Sequence, residues 1–288
     1  MWPRSLRKRR TAMPKYGAHT FLWIDEWTTE KGNQAIAATG EIGFDFIEIS
    51  LLKPDEFDAA AHKRALTDAG IEATGSLVLP EWAHMPEEPE KAKQFLISAL
   101  EKLEAVGGTY LCGCIAFALG KFTGERQVVI ETLGEVAEEA KKRGITLGIE
   151  VVNRYESNLY NTLADTQETI LAIGADNIKV QADTYHMLYE EEGFYKPLVE
   201  SADVLGYMHM SENHRGLLGS GTVNWDEVFR GLADANYKGP MVVKSFPAVN
   251  PDLAAAIKLW RPPTQSSEFL AREGLKFLKE HVEKYGLG

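Results

Sequence analysis

Eight short β-rich runs recur along the chain, each followed by a stretch with helical periodicity, and this alternation constrains the fold most. The runs begin at Tyr16 (YGAHTFLW), Phe44 (FDFIEIS), Gly70 (GIEATGS), Thr109 (TYLCGCI), Ile145 (ITLGIEVV), Asn177 (NIKVQADT), Val204 (VLGYMHM) and Pro240 (PMVVKSF). Several are apolar through the middle, the pattern of parallel strands covered on the outside by helices. Their starts lie roughly 30 residues apart, the size of one strand–helix unit. An open doubly wound sheet is the main rival, but eight units in one uninterrupted series favour closure. The expected fold is α/β, a single (β/α)8 TIM barrel, for which 288 residues is an ordinary length.

The helical stretches carry their own limits. From Glu90 to Val106, Phe95, Leu96, Ala99, Leu100 and Leu103 fall on one side, and Gly107-Gly108 stops the run. From Glu125 to Arg143, Val129, Leu133, Val136 and Ala140 make a similar stripe before Gly144. Asn224 ahead of Trp225, with Glu227 three residues on, is a reciprocal-cap signal. A last helix is expected over Ser267 to Tyr285. The least regular stretch, Pro247 to Phe269, predicts a short helix over Leu253–Trp260, ended by Pro262-Pro263. It reads as an extra segment between strand eight and the last helix, a cap or interface element beside the barrel mouth. No linker divides the chain, so residues 15–288 read as one barrel domain.

The net charge is −11, and residues 1–12 hold five cations (Arg4, Arg7, Lys8, Arg9, Arg10) and no acid. Taking those five charges from −11 leaves −16 on the rest. So acidic a body repels phosphate backbones, which argues against a nucleic-acid partner. Residues 1–14 read as a flexible N-terminal extension, with Met13 as an alternative start. They lack the apolar core of a secretory signal. No apolar run is long enough to span a membrane. Cys112 and Cys114 share one strand face, too close in sequence for an unstrained bridge and too few for a zinc site. They read as buried free thiols, with a cytoplasmic setting as the default.

Barrel active sites use the C-terminal ends of the strands. That rule selects Glu48, Glu150, Asp183, His209 and Lys244, the last four from strands five to eight. Glu150, Asp183 and His209 supply two carboxylates and an imidazole, a set suited to a divalent ion such as Mn²⁺ or Co²⁺. Glu156, His186 and Arg215 stand close by in sequence and offer hydrogen bonds to an oxygen-rich ligand. Trp23, Phe246 and Trp260 are candidates for apolar walls. The Gly216–Gly221 segment, GLLGSG, lacks the phosphate-loop lysine pattern and reads as a loop bending closely over the site.

These positions resemble the D-tagatose 3-epimerase and D-psicose 3-epimerase group of sugar epimerases, within the xylose-isomerase-like barrels. The resemblance runs from about Lys15 to Tyr285, through GIEVVNRYE (Gly148–Glu156), DTYHM (Asp183–Met187) and HMSENHRGLLGSGTVNW (His209–Trp225). It implies that Glu150, Asp183 and His209 are metal ligands for Mn²⁺, Co²⁺ or Mg²⁺. It also implies that Glu156, His186 and Arg215 bind a small-molecule sugar, and that the protein is a homodimer or homotetramer. Family members invert ketoses at C3: one glutamate removes the proton, another returns it to the opposite face of a cis-enediolate, and Glu150 matches one of the pair. The segment ATGSLVLPEW (Ala73–Trp82) lacks a cysteine often used in related sites, which leaves D-psicose, D-tagatose, D-fructose and L-ketoses open.

The second glutamate belongs after strand eight in an ESF-type motif, and here the chain reads Lys244-Ser245-Phe246. A protonated Lys244 turns an ion-bearing site from net negative to net positive. An ammonium about 4 Å from a divalent ion meets repulsion of about 8 kcal/mol at an effective dielectric near 20. Metal affinity should fall, or the lysine pKa should drop. Three consequences stay open. Lys244 serves as a neutral ligand or base, or replaces the metal as a cationic partner of Glu150 and Asp183, or disables the two-base reaction. The sequence therefore predicts an epimerase-family protein with weak or absent normal activity. Its rivals are another metal-dependent aldose–ketose isomerase or lyase on this barrel, and a non-catalytic sugar-binding protein.

Overall fold

The computed structural model describes residues 14–287, so the basic head at 1–13 lies outside the described residues. The strands are β1 (Tyr16–His19), β2 (Phe46–Ser50), β3 (Glu72–Val78), β4 (Tyr110–Cys114), β5 (Thr146–Glu150), β6 (Ile178–Asp183), β7 (Leu205–Met210) and β8 (Met241–Val243). They close into one barrel in chain order, each pair parallel, with β1 meeting both β2 and β8. The expected (β/α)8 barrel is the fold observed. Every strand is short, as befits parallel strands whose outer face is fully covered.

Helices fall close to their sequence limits. Those at Pro89–Ala105 and Arg126–Lys142 bury the stripes read from the sequence, including Leu96, Leu100, Leu133 and Val136. The last spans Ser267–Tyr285 as expected. At Trp225–Asp234 the Asn224 side chain accepts from the Glu227 amide at 3.3 Å and donates to the Glu227 carboxylate at 2.9 Å, so the cap is reciprocal through side chains. The expected helix at Leu253–Trp260 is instead Pro251–Ala256. The Asn250 side chain caps the Leu253 amide, Pro251 supplies the first helical position, and Lys258 at φ 58 turns the chain away. None of this helix is buried.

Two apolar regions hold the barrel. One lies between strands and helices; the other, Phe46, Tyr110, Cys112, Tyr207 and Val242, fills the barrel interior. Side chains two apart on a strand share a face. One layer above Phe46, Tyr207 and Val242 therefore come Glu48, His209 and Lys244. Space for the floor is made at Gly148, where an added Cβ would stand 2.7 Å from the Tyr110 ring. Tyr207 anchors its hydroxyl to Thr74 at 2.8 Å. Both cysteines are free and buried, as the sequence predicts. Among the described residues no helix is long and apolar enough to cross a membrane.

Candidate active site

Strand register assembles the mouth. His19 is paired with Glu48, Glu150 with Gln181, and Asp183 with His209. Lys244 follows Val243, the partner of Met210. Each of these side chains therefore sits near one height, at the strand ends that loops overhang. The cavity there is about 90 Å³ and is lined by His19, Glu150, Glu156, His186, His209, Arg215, Lys244 and Phe246. Leu253 and Ile257 of the strand-eight extension also line it, which places that segment beside the mouth. Ligand pockets usually run to roughly 300–1,000 Å³. The cavity here is smaller than that range.

The centre of the site is a string of charges. Lys244 donates from Nζ to Glu150 Oε1 at 2.6 Å and lies 3.2 Å from Asp183 Oδ2. Arg215 donates to the same Asp183 oxygen at 3.0 Å and to Ser211 Oγ at 3.0 Å, with its guanidinium over the Tyr185 ring at 3.5 Å. His209 bridges carboxylates, Nδ1 to Glu150 at 3.0 Å and Nε2 to Glu48 at 2.9 Å. It also stands 3.7 Å from Asp183. Burial disfavours the charged form of every one of these groups. For His209 the carboxylates, Glu48 foremost, outweigh burial despite Lys244, and its pKa rises to about 10. Burial likewise opposes the Lys244 ammonium, but Glu150 and Asp183 push its pKa above the usual lysine range. In turn, against burial, Lys244 and His209 hold Glu150 below the carboxylate range, and Arg215 and Lys244 hold Asp183 well below it. Glu48 is drawn down to about 2, with His209 and His19 overcoming its burial. Lys244, Arg215 and the His209 imidazolium thus offset Glu48, Glu150 and Asp183, and Glu156 adds a further acidic side chain to the lining.

Further hydrogen bonds complete the rim. Burial lowers His186, the Asn153 amide donates to its Nδ1 at 3.1 Å, and Arg215 Nη2 stands 3.3 Å from its Nε2. Glu156 is held by Asn153 Nδ2 at 3.1 Å. His19, lowered by burial to about 3, is neutral beside Glu48 at 3.3 Å. The glycine-rich loop curls around buried Glu212, which accepts from Trp225 Nε1 at 2.7 Å and from the Gly219 amide at 2.9 Å. A Cβ at Gly221 would meet the Glu212 carboxylate at 2.3 Å, so glycine is required for that approach.

Of the three expected walls, only Phe246 lines the cavity. Trp23 is carried aside by the 3-10 turn at Thr20–Leu22, and Phe21 takes its place, stacked on Phe246 at 5.6 Å. Trp260 is 72% exposed on an outer groove, because the turn at Lys258 swings it off the mouth. His19, Gln181 and Asn153 escaped the sequence reading. Gln181 lies two residues before Asp183 on the same face, and its amide touches His209 at 2.9 Å while accepting from the Gly113 amide at 2.7 Å. Strand parity was the signal that marks it.

Among the described residues two groups are of metal-ligand type, Glu150–Asp183–His186 and Glu48–Cys112–His209. Their chemistry suits a divalent ion, but their arrangement does not. In the first, Lys244 Nζ already contacts both carboxylates. In the second, the Cys112 thiol donates to the Gly75 carbonyl at 3.4 Å, and its pKa, raised by burial, keeps it protonated where a ligand would be a thiolate.

A closed eight-stranded barrel with carboxylates, imidazole and guanidinium at its strand ends defines the class: the xylose isomerase-like TIM barrel family matches residues 36–281. The L-ribulose 3-epimerase of Methylomonas sp. (strain DH-1) is 35% identical over 283 residues, 93% of this chain and 99% of that protein. The ketose 3-epimerase of Arthrobacter globiformis is 33% identical, over 93% of this chain and 96% of that one. The crystal structure of the D-allulose 3-epimerase from Methylomonas sp. with D-allulose superposes with a TM-score of 0.90 at 34% identity, covering 94% and 98% of the two chains. Within that class, the chain belongs to the D-psicose, D-tagatose and L-ribulose 3-epimerase family. Lys244 stands at the position of that family's second catalytic glutamate.

Proposed function

We propose that the mouth cavity binds a free ketohexose and that C3 proton exchange there is weak or absent in this chain. The observation that carries this reading is the Lys244–Glu150 contact at 2.6 Å. C3 inversion needs a base on each face of the sugar. Glu150, paired to an ammonium and an imidazolium, is a poor proton acceptor, and protonated Lys244 accepts none. His186, Glu156 and Arg215 are the groups assigned to the sugar hydroxyls. D-psicose, D-tagatose, D-fructose and L-ketoses are all within the proposed substrate class.

The ion belongs to the reading only with a carboxylate at 244. Glu150, Asp183, His209 and a glutamate there would form an oxygen-rich set with one imidazole, suited to Mn²⁺ or Co²⁺ before Mg²⁺. The ligand is a small sugar, with neither nucleic acid nor membrane as partner, and the free thiols suit a cytoplasmic setting. A homodimer or homotetramer is part of the same proposal, with the exposed extension around Trp260 at an interface. The same ion pair favours a second reading, sugar binding without turnover.

NMR of ketohexoses in D₂O with high enzyme concentrations tests the reading. Saturation transfer to a ketohexose, with any deuterium uptake confined to C3, is expected. Uptake between C1 and C2 without loss of the C3 signal would assign the chain to an aldose–ketose isomerase instead.

A further inference from the structure

The two carboxylates at the end of β5 and β6 are already neutralised by side chains. Lys244 Nζ touches Glu150 at 2.6 Å and Asp183 at 3.2 Å, and Arg215 touches Asp183 at 3.0 Å, so two anions meet two cations. The lysine is also anchored at its root. Its amide donates to Met210 O at 3.0 Å and its carbonyl accepts from Ser211 Oγ at 2.7 Å. Only side-chain rotation could withdraw the ammonium, and the space open to it is the cavity of about 90 Å³ that a ligand must also use. An ammonium has three N–H donors. One is spent on Glu150, Asp183 stands at ion-pair distance, and N–H donation stays open toward the cavity that Lys244 lines.

We infer that the Lys244 ammonium occupies the seat of the divalent cation, so that this site is metal-independent and grips an adjacent carbonyl or hydroxyl oxygen through N–H donation. The ammonium supplies a positive charge and a directed hydrogen bond where an ion would supply coordination. Only the identity of that oxygen-bearing ligand as a ketose rests on the functional reading above.

Mn²⁺ titration followed by the EPR signal of the free ion tests the seat without any sugar. The native chain is expected to take up no stoichiometric Mn²⁺, whereas Lys244→Glu takes up one ion per chain at least about 100-fold more tightly. Uptake of one Mn²⁺ per native chain, within about tenfold of the variant's affinity, would overturn the inference. Should Lys244→Glu fail to fold, the native titration decides alone: saturable uptake of one ion rejects the seat, and its absence supports it. D-fructose serves as the second probe. Its binding to the native chain is expected to be the same with and without EDTA, and a loss of about tenfold in EDTA counts against the inference. If D-fructose does not bind at all, the ketose reading fails, and the cation seat stands or falls on Mn²⁺.

Discussion

Phe46 and Glu48 are two residues apart on β2, as are Tyr207 and His209 on β7, yet the first of each pair packs in a dry floor and the second in a charged mouth. The floor is stabilised by apolar burial and ring contacts, such as Tyr110 on Tyr207 at 4.7 Å between centroids. The mouth is stabilised only while each charge keeps its partner, because unpaired buried charge is costly. The floor should therefore tolerate changes of shape but ignore pH, whereas the mouth should respond to every change of charge.

The largest stability effect belongs to Lys244→Met, which strips the cation from Glu150 and Asp183. Removing one partner of a buried pair costs about 3–5 kcal/mol. Urea unfolding should show that loss at neutral pH and part of it recovered in acid, as the two carboxylates take up protons. A smaller, pH-independent loss of about 1–2 kcal/mol is expected for Phe46→Leu in the floor. Equal pH profiles for the two variants would erase the distinction between the layers.

Native stability should itself have two limbs in metal-free protein. Glu48 has its pKa depressed from 4.5 to about 2, so its contribution is complete above 4.5 and fades as pH falls through 2. His209 is raised from 6.5 to about 10, so its contribution is complete below 6.5 and fades as pH rises through 10. Denaturant midpoints across this range should show both limbs. Glu48→Gln should flatten the acid limb and move the alkaline one to lower pH, since Glu48 is the leading attraction that holds the His209 proton. The smallest effect is set by exposure: Trp260→Ala should change stability by less than about 0.5 kcal/mol, with a larger loss pointing to burial in an assembly.

Legibility in the sequence followed the same division. The barrel could be read because eight runs repeat a period, and Glu150, Asp183, His209 and Lys244 because each ends an apolar strand. His19 was missed because its run continues without a break into Thr20-Phe21-Leu22, which folds as a 3-10 turn. Trp23 and Trp260 were misplaced because loop residues have no period to fix where they point. The pairing of Lys244 with Glu150, 94 residues away, depends on barrel closure and has no local signature.

Substituting Lys244 by glutamate and following C3 deuterium exchange of one ketohexose with Mn²⁺ or Co²⁺ gives the most direct comparison. Restoring a positioned acid–base group is worth about 10²–10⁴-fold in rate, so the variant should exchange C3 faster than the native chain by about that factor. Exchange in folded Lys244→Glu that is equal to or slower than in the native chain would contradict the claim that residue 244 decides the chemistry.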